Sequence, residues 1–166
     1  MIYDVSIHIL PSVAMLDLNG SVGDIAPRLL RLGLFEPAPG RMATAGPVEV
    51  LRAGREHWLV RAPLDDEARL MAGLLETPPE ADTLVVPVSD AYVFFGISGP
   101  HARQVLAIAS PLDTDPAAFP VDGATFTEAF GQKALVMRRG KGFEMAFERS
   151  YAPMVSDYFS RINGGP

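Results

Sequence analysis

The 166-residue chain has no cysteine. That excludes disulfides, thiolate metal sites, iron–sulfur ligation and a cysteine nucleophile, and it fits a reducing compartment. Lysine is nearly absent: Lys133 and Lys141 stand beside twelve arginines. Charged residues make up only 20%, and the formal net charge is −6. An acidic chain lacks the positive field that nonspecific phosphate binding needs, so nucleic acid is not an expected partner. Long apolar runs are missing too. Ala91–Ala102 carries no Asp, Glu, Lys or Arg, but it contains Gly99-Pro100 and His101 and falls far short of the ~20 residues of a membrane span. The start, MIYDVSIHIL, lacks the basic residues and apolar core of a signal peptide. The expected location is the cytoplasm.

What is abundant is punctuation. Gly and Pro number 15 each, without period, and 48% of residues are hydrophobic. This describes a turn-rich, core-forming domain of many short elements. Charge is uneven: residues 1–83 hold 7 Arg against 12 Asp/Glu, net −5, and residues 84–166 hold 7 Lys/Arg against 8 Asp/Glu, net −1.

Alternation over Ile2–Leu10 predicts a half-buried strand, with Val5, Ile7 and Ile9 on one face. Asp24–Phe35 has helical spacing, with Pro27 early. Glu36–Pro47, with three prolines and two glycines, reads as loop. Val48–Ala53 and Glu56–Ala62 form a hairpin about Gly54-Arg55. Asp65-Asp66-Glu67 opens a helix to about Glu76, the carboxylates complementing its dipole. Thr77-Pro78-Pro79-Glu80 marks the boundary between two sub-lobes, about 1–79 and 80–166, of one domain spanning 1–166. The second lobe reads as strands Leu84–Val88 and Tyr92–Ser98, then a helix Pro100–Ala109 capped by Ser98 or Gly99. A loop over Ser110–Pro120 follows. Strands Ala124–Phe130, Lys133–Arg139 and Phe143–Glu148 turn at Gly131-Gln132 and Gly140-Lys141-Gly142. A last helix, Ser150–Ile162, is capped by Ser150 and ended by Gly164-Gly165. Antiparallel strands with helices on one face give an α+β fold.

Chemistry-bearing residues are sparse. His8, His57 and His101 are scattered, without the three or four ligands zinc takes. His8 and His57 suit solvated polar faces. Asp65–Glu67 is explained by the helix start. Asp90, beside Ser89, suits a turn between strands. Arg138-Arg139-Gly140-Lys141-Gly142 is the basic cluster. It reads as a solvated turn, as an anion cradle built on the glycine turn, or as a contact with an acidic partner. Both faces of Tyr92–Ser98 are apolar, which suits a core strand or a strand covered by another subunit. The candidate partner-interface residues are Tyr92, Phe94, Arg138, Arg139, Lys141, Arg149 and Tyr151. No catalytic, cofactor-binding or metal-binding residue is assigned.

Three stretches carry a resemblance: Ile97-Ser98-Gly99-Pro100-His101-Ala102-Arg103-Gln104-Val105-Leu106; Pro111-Leu112-Asp113 with Phe119-Pro120; and Phe143–Ala152, ending Arg149-Ser150-Tyr151-Ala152. Glu56-His57-Trp58-Leu59-Val60 adds a fourth. Together they resemble the gamma subunit of heterotetrameric sarcosine oxidase, itself similar to the N-terminal part of the glycine-cleavage aminomethyltransferase. The likeness runs from about Val48 to Ile162 and is weak over the first 47 residues. It implies two small ferredoxin-like lobes, aminomethyltransferase N-terminal-like. It also implies a noncatalytic subunit working with alpha, beta and delta partners and self-associating when isolated. Those partners would carry FAD, FMN, NAD and tetrahydrofolate, demethylate sarcosine to glycine and pass the one-carbon unit to folate. Aminomethyl-transferring relatives need a carboxylate just after the hairpin glycine. Here Gly131 is followed by Gln132-Lys133-Ala134, so no folate ligand is carried over. The divergent start leaves two alternatives, a subunit of an N-methylglutamate-type dehydrogenase or a free-standing folate- or anion-binding module.

Overall fold

A computed structural model describes residues 3–162. Ile2, at the head of the expected first strand, and the expected helix stop at Gly164-Gly165 lie outside the described residues. The chain divides into two compact units, Ser12–Ser89 and a second made of Met1–Pro11 with Asp90–Pro166. The chain therefore crosses between units at Pro11/Ser12 and Ser89/Asp90, not at Thr77–Glu80.

The Ser12–Ser89 unit contains β2 (Val13–Asn19), α1 (Val22–Arg31), β3 (Met42–Ala45), β4 (Val48–Gly54), β5 (His57–Pro63), α2 (Glu67–Leu74) and β6 (Leu84–Pro87). Its sheet has the order β3-β4-β5-β2-β6, with every pairing antiparallel. Leu16, Leu18, Val50, Trp58 and Val60 point to one face and pack with Ile25 and Leu29 of α1 and Leu70 and Leu74 of α2. The helix over Asp24–Phe35 begins earlier than expected. Ser21 caps it by accepting from the Asp24 N–H at 3.2 Å, the usual use of a serine at this position. Strand β3 falls inside the expected loop Glu36–Pro47. Strand β2, central to the sheet, is absent from the elements expected from sequence. Strand β6, expected in the second lobe, pairs with β2. Asp65 and Asp66 lie in a 3-10 turn that precedes α2.

The other unit contains β1 (Ser6–Ile9), β7 (Tyr92–Ser98), α3 (Ala102–Ala109), β8 (Ala124–Ala129), β9 (Gln132–Arg139), β10 (Gly142–Glu148) and α4 (Ala152–Ile162). Its sheet order is β1-β7-β10-β9-β8, again antiparallel throughout. Phe95, Ile97, Phe143, Met145 and Phe147 pack with Val105 and Leu106 of α3 and Val155 and Phe159 of α4. Val5 and Ile7 join this cluster, whereas Ile9, expected with them, is 58% exposed. Helix α3 starts at Ala102, two residues later than expected, with His101 rather than Ser98 or Gly99 at its N-cap. The chain after β10 passes through a 3-10 turn, Arg149–Tyr151, before α4, so Ser150 is not its cap.

The two units repeat one topology. Strand, helix, three strands and helix occur as β2-α1-β3-β4-β5-α2 and as β7-α3-β8-β9-β10-α4. In the first unit the fifth strand, β6, follows directly and pairs with β2. In the second, the equivalent place beside β7 is taken by β1, from the other end of the chain.

The turn between β8 and β9 is Phe130-Gly131, with φ of 51° and 74°, one residue before the expected Gly131-Gln132. A two-residue hairpin of this kind needs positive φ at both positions, which is unusual for a bulky residue. The Phe130 ring stacks on Tyr158 with centroids 4.9 Å apart and meets Phe159 edge-on at 5.2 Å. Its N–H donates to the Ala109 carbonyl at the end of α3, at 2.8 Å. These contacts offset the backbone strain.

Arg28 ties the first unit together. It is 1% exposed. Its guanidinium donates to the carbonyls of Leu74, Thr77 and Pro78 at 2.6, 2.6 and 3.0 Å, and to both oxygens of Asp24. It thereby satisfies the Leu74 carbonyl at the end of α2 and two carbonyls of the segment that follows. The guanidinium holds the Asp24 carboxyl below the usual carboxylate range. Burial opposes this.

Arg28→Met is expected to destabilise the protein by about 3–5 kcal/mol in urea unfolding, because Asp24 and three carbonyls lose their partner. Because the folded carboxyl is the stronger acid, Asp24 contributes stability that is fully present above the unfolded carboxylate pKa of ~3.9. That contribution is lost as pH falls through the lower folded value. Asp24→Asn is expected to flatten this acid limb of a plot of melting temperature against pH.

Candidate functional site

The residues singled out from sequence fall on the second unit, around β7, β9, β10 and the turns that flank them. Adjacent residues of a strand point to opposite faces, and this separates the two arginines of the basic cluster. Arg138 is 7% exposed. Its Nη1 donates to the carbonyls of Thr114 and Phe119, at 2.9 and 3.0 Å, and its guanidinium lies over Phe143, 5.3 Å from the ring centroid. It pins the loop between α3 and β8, so it presents no charge to a ligand or partner. Arg139, on the other face, is paired with Glu144 across the hairpin. Nε lies 3.2 Å from one carboxylate oxygen and Nη2 3.3 Å from the other. Lys141 is exposed at the turn tip beside Gly140, whose φ is 56°. The cluster is thus one structural arginine, one neutralised arginine and one surface lysine, rather than a three-cation cradle.

Tyr92 and Arg149 are brought together. The Arg149 side chain donates to the Tyr92 carbonyl at 3.3 Å and to the Asp90 carbonyl at 2.5 Å, while its N–H donates to the Ala91 carbonyl at 2.8 Å. It clips the entry of β7 to the exit of β10. Asp90 is a turn residue, as expected. Tyr151, 38% exposed, follows in the 3-10 turn. Phe94 is buried, at 3%, and offers no surface.

Sequence reading missed a shallow cleft of about 160 Å³ on the same face as Arg139. Its lining includes His8, Leu10, Gly96, Ser98, Arg139 and Glu144. Gly96 makes room for His8: a Cβ there would lie 3.1 Å from Cε1 and Nε2 of the imidazole. Gly142 allows β10 to approach β7, since its Cβ would stand 2.3 Å from the Ile97 carbonyl oxygen. The signal available in sequence was Arg139 and Glu144 flanking a glycine turn. An anion entering the cleft has to compete with Glu144 for Arg139.

Several other titratable groups have local partners. His57, half-buried, places Nε2 3.0 Å from Asp17, whose carboxylate also accepts from Asn19 at 2.6 Å. His101 accepts at Nδ1 from the Asp4 N–H at 2.8 Å. Glu67 bonds the Ser89 hydroxyl, and Asp66 pairs with Arg69 at 3.0 Å. Among the described residues, no group of three or more His, Asp and Glu side chains is placed to hold a metal ion. No helix there is long and apolar enough to cross a membrane.

No protein-family model matches the chain, and no curated protein matches it in sequence. Solved structures do. A chain of heterotetrameric sarcosine oxidase from Corynebacterium sp. U-96 superposes with a TM-score of 0.82 at 22% identity, covering 96% of this chain and 85% of that one. This chain has that fold. The glycine cleavage system aminomethyltransferase T from Bartonella henselae also matches, with a TM-score of 0.67 at 15% identity. It covers 96% of this chain, which spans just under half, 46%, of the aminomethyltransferase. The α+β architecture expected from the motif resemblance is therefore the one found.

Splitting the basic cluster has a measurable consequence. Arg138→Met is expected to lower unfolding free energy by about 3 kcal/mol, because the Thr114 and Phe119 carbonyls lose a charged donor in the interior. Lys141→Ala is expected to stay within about 0.5 kcal/mol of the parent. Parallel urea titrations of the two variants check both.

Proposed function

We propose that the chain is a noncatalytic subunit of a sarcosine-oxidase-type flavoenzyme complex. The observation that carries this reading is the near end-to-end likeness to a chain of heterotetrameric sarcosine oxidase, over 96% of one and 85% of the other. The ordered motifs at Ile97–Leu106, Pro111–Pro120 and Phe143–Ala152 support it. In this reading alpha, beta and delta partners carry FAD, FMN, NAD and the tetrahydrofolate site. They demethylate sarcosine to glycine and hand the one-carbon unit to folate. Such a complex draws on cytoplasmic cofactors, so the chain works in the cytoplasm.

The role assigned to this subunit is assembly. Arg138 and Arg149 serve the unit's own backbone, Arg139 is held by Glu144, and the position after the hairpin glycine is Gln132 rather than an acid. The exposed candidates for partner contact are then Lys141, the Arg149 side chain and Tyr151. The free-standing anion-binding reading loses its main support, because the cluster on which it rested is divided between two faces of β9.

Co-expression with the flavoprotein subunits of a sarcosine-oxidase-type complex, followed by affinity capture of this chain, is expected to yield a complex with flavin absorbance at fixed stoichiometry. Turnover of sarcosine against N-methylglutamate then identifies the amine. A monodisperse chain that retains no flavoprotein would refute the assignment. Calorimetry of the isolated chain with tetrahydrofolate is expected to show no micromolar binding.

A further inference from the structure

The second unit borrows its fifth strand from the far end of the chain, and one side chain holds that strand's leading end. The Asp4 N–H donates to Nδ1 of His101 at 2.8 Å, and the His101 N–H donates back to the Asp4 carbonyl at 3.2 Å. The Tyr3 ring stands edge-on to the imidazole, 6.0 Å away at 83°. Gly99, at φ +114°, lets the turn close on this segment: a Cβ there would lie 2.8 Å from the Asp4 carbonyl oxygen and 3.0 Å from the Val5 Cα. Tyr3, Val5 and Ile7 then reach the core cluster, and Ser6–Ile9 pairs with β7.

A backbone N–H can only donate, so the Nδ1 it meets must be unprotonated and the ring neutral. We propose that His101 is a pH-sensitive latch on β1: protonation sets an N–H against the Asp4 N–H and releases residues 3–5 from the turn before α3. Histidine is the side chain whose charge changes between pH 5 and 8. The groups facing it are Tyr3 and Asp4 from the leading segment. Arg103 of α3 lies two residues beyond it and is paired with Asp115 at 3.6 Å. His8, the histidine of β1, lies over Gly96 on the sheet face opposite Val5 and Ile7. The inference rests on this local geometry and is independent of the assignment to a complex.

Hydrogen exchange of the full chain, read residue by residue and corrected for the intrinsic pH dependence of exchange, tests it. Protection of the Asp4 amide is expected to fall by about tenfold between pH 8 and pH 5. His101→Ala is expected to lower it at both pH values, and His8→Asn to leave the pH response in place. Unchanged Asp4 protection in the parent chain overturns the proposal. So does a pH response that survives in His101→Ala or vanishes in His8→Asn.

Discussion

The pairing of β1 with β7 is the constraint on which the second unit depends. Without it, β7 would be an edge strand with a row of unpaired backbone groups. With it, Ser6 lies opposite Ser98 and Ile9 opposite Phe95, and the order of strands matches that of the first unit. The Ser98-Gly99-Pro100-His101 turn is built around this pairing. Gly99 admits the Asp4 carbonyl, and His101 anchors the Asp4 backbone from both sides. A motif that first reads as a helix start is therefore also the dock for the beginning of the chain.

Much of the fold was legible because glycine and proline mark the ends of short alternating strands. The hairpin β4–β5 and the three-stranded run β8–β10 follow from that alternation. β2 was not legible in the same way. Ala14, Met15, Leu16 and Leu18 are all buried, so its pattern lacks the polar alternate face that marks a half-solvated strand. β3, Met42-Ala43-Thr44-Ala45, has small side chains among prolines and glycines and is a strand through pairing with β4. The sub-lobe boundary failed for a topological reason. Thr77–Glu80 is a real break, but the strand after it returns to β2, and the strand completing the second unit lies at the opposite end of the sequence.

The candidate site was legible in its residues and not in its arrangement. Arg138 and Arg139 are neighbours in sequence and sit on opposite faces of β9, one under the loop from Ser110 to Pro120 and the other against Glu144. Treating them as one patch overlooked the two-residue period of a strand. Tyr92 and Arg149 do meet, through backbone carbonyls rather than side chain to side chain. Buried arginines that collect carbonyls recur in the molecule, Arg28 in the first unit and Arg138 in the second. A chain with two lysines uses the planar, multiply donating guanidinium in the interior, where an ammonium would leave acceptors unmet.

The borrowed strand also bears on the order in which the protein is made. β1 leaves the ribosome first, but its partner β7 follows some eighty residues later. At about 5–20 residues per second, β1 waits roughly 4–17 s for a place in a sheet. During that interval the whole Ser12–Ser89 unit emerges with all five of its strands. A short, polar-punctuated strand such as Ser6-Ile7-His8-Ile9 is suited to that delay, because little apolar surface stands exposed while nascent β2 and β5 pair.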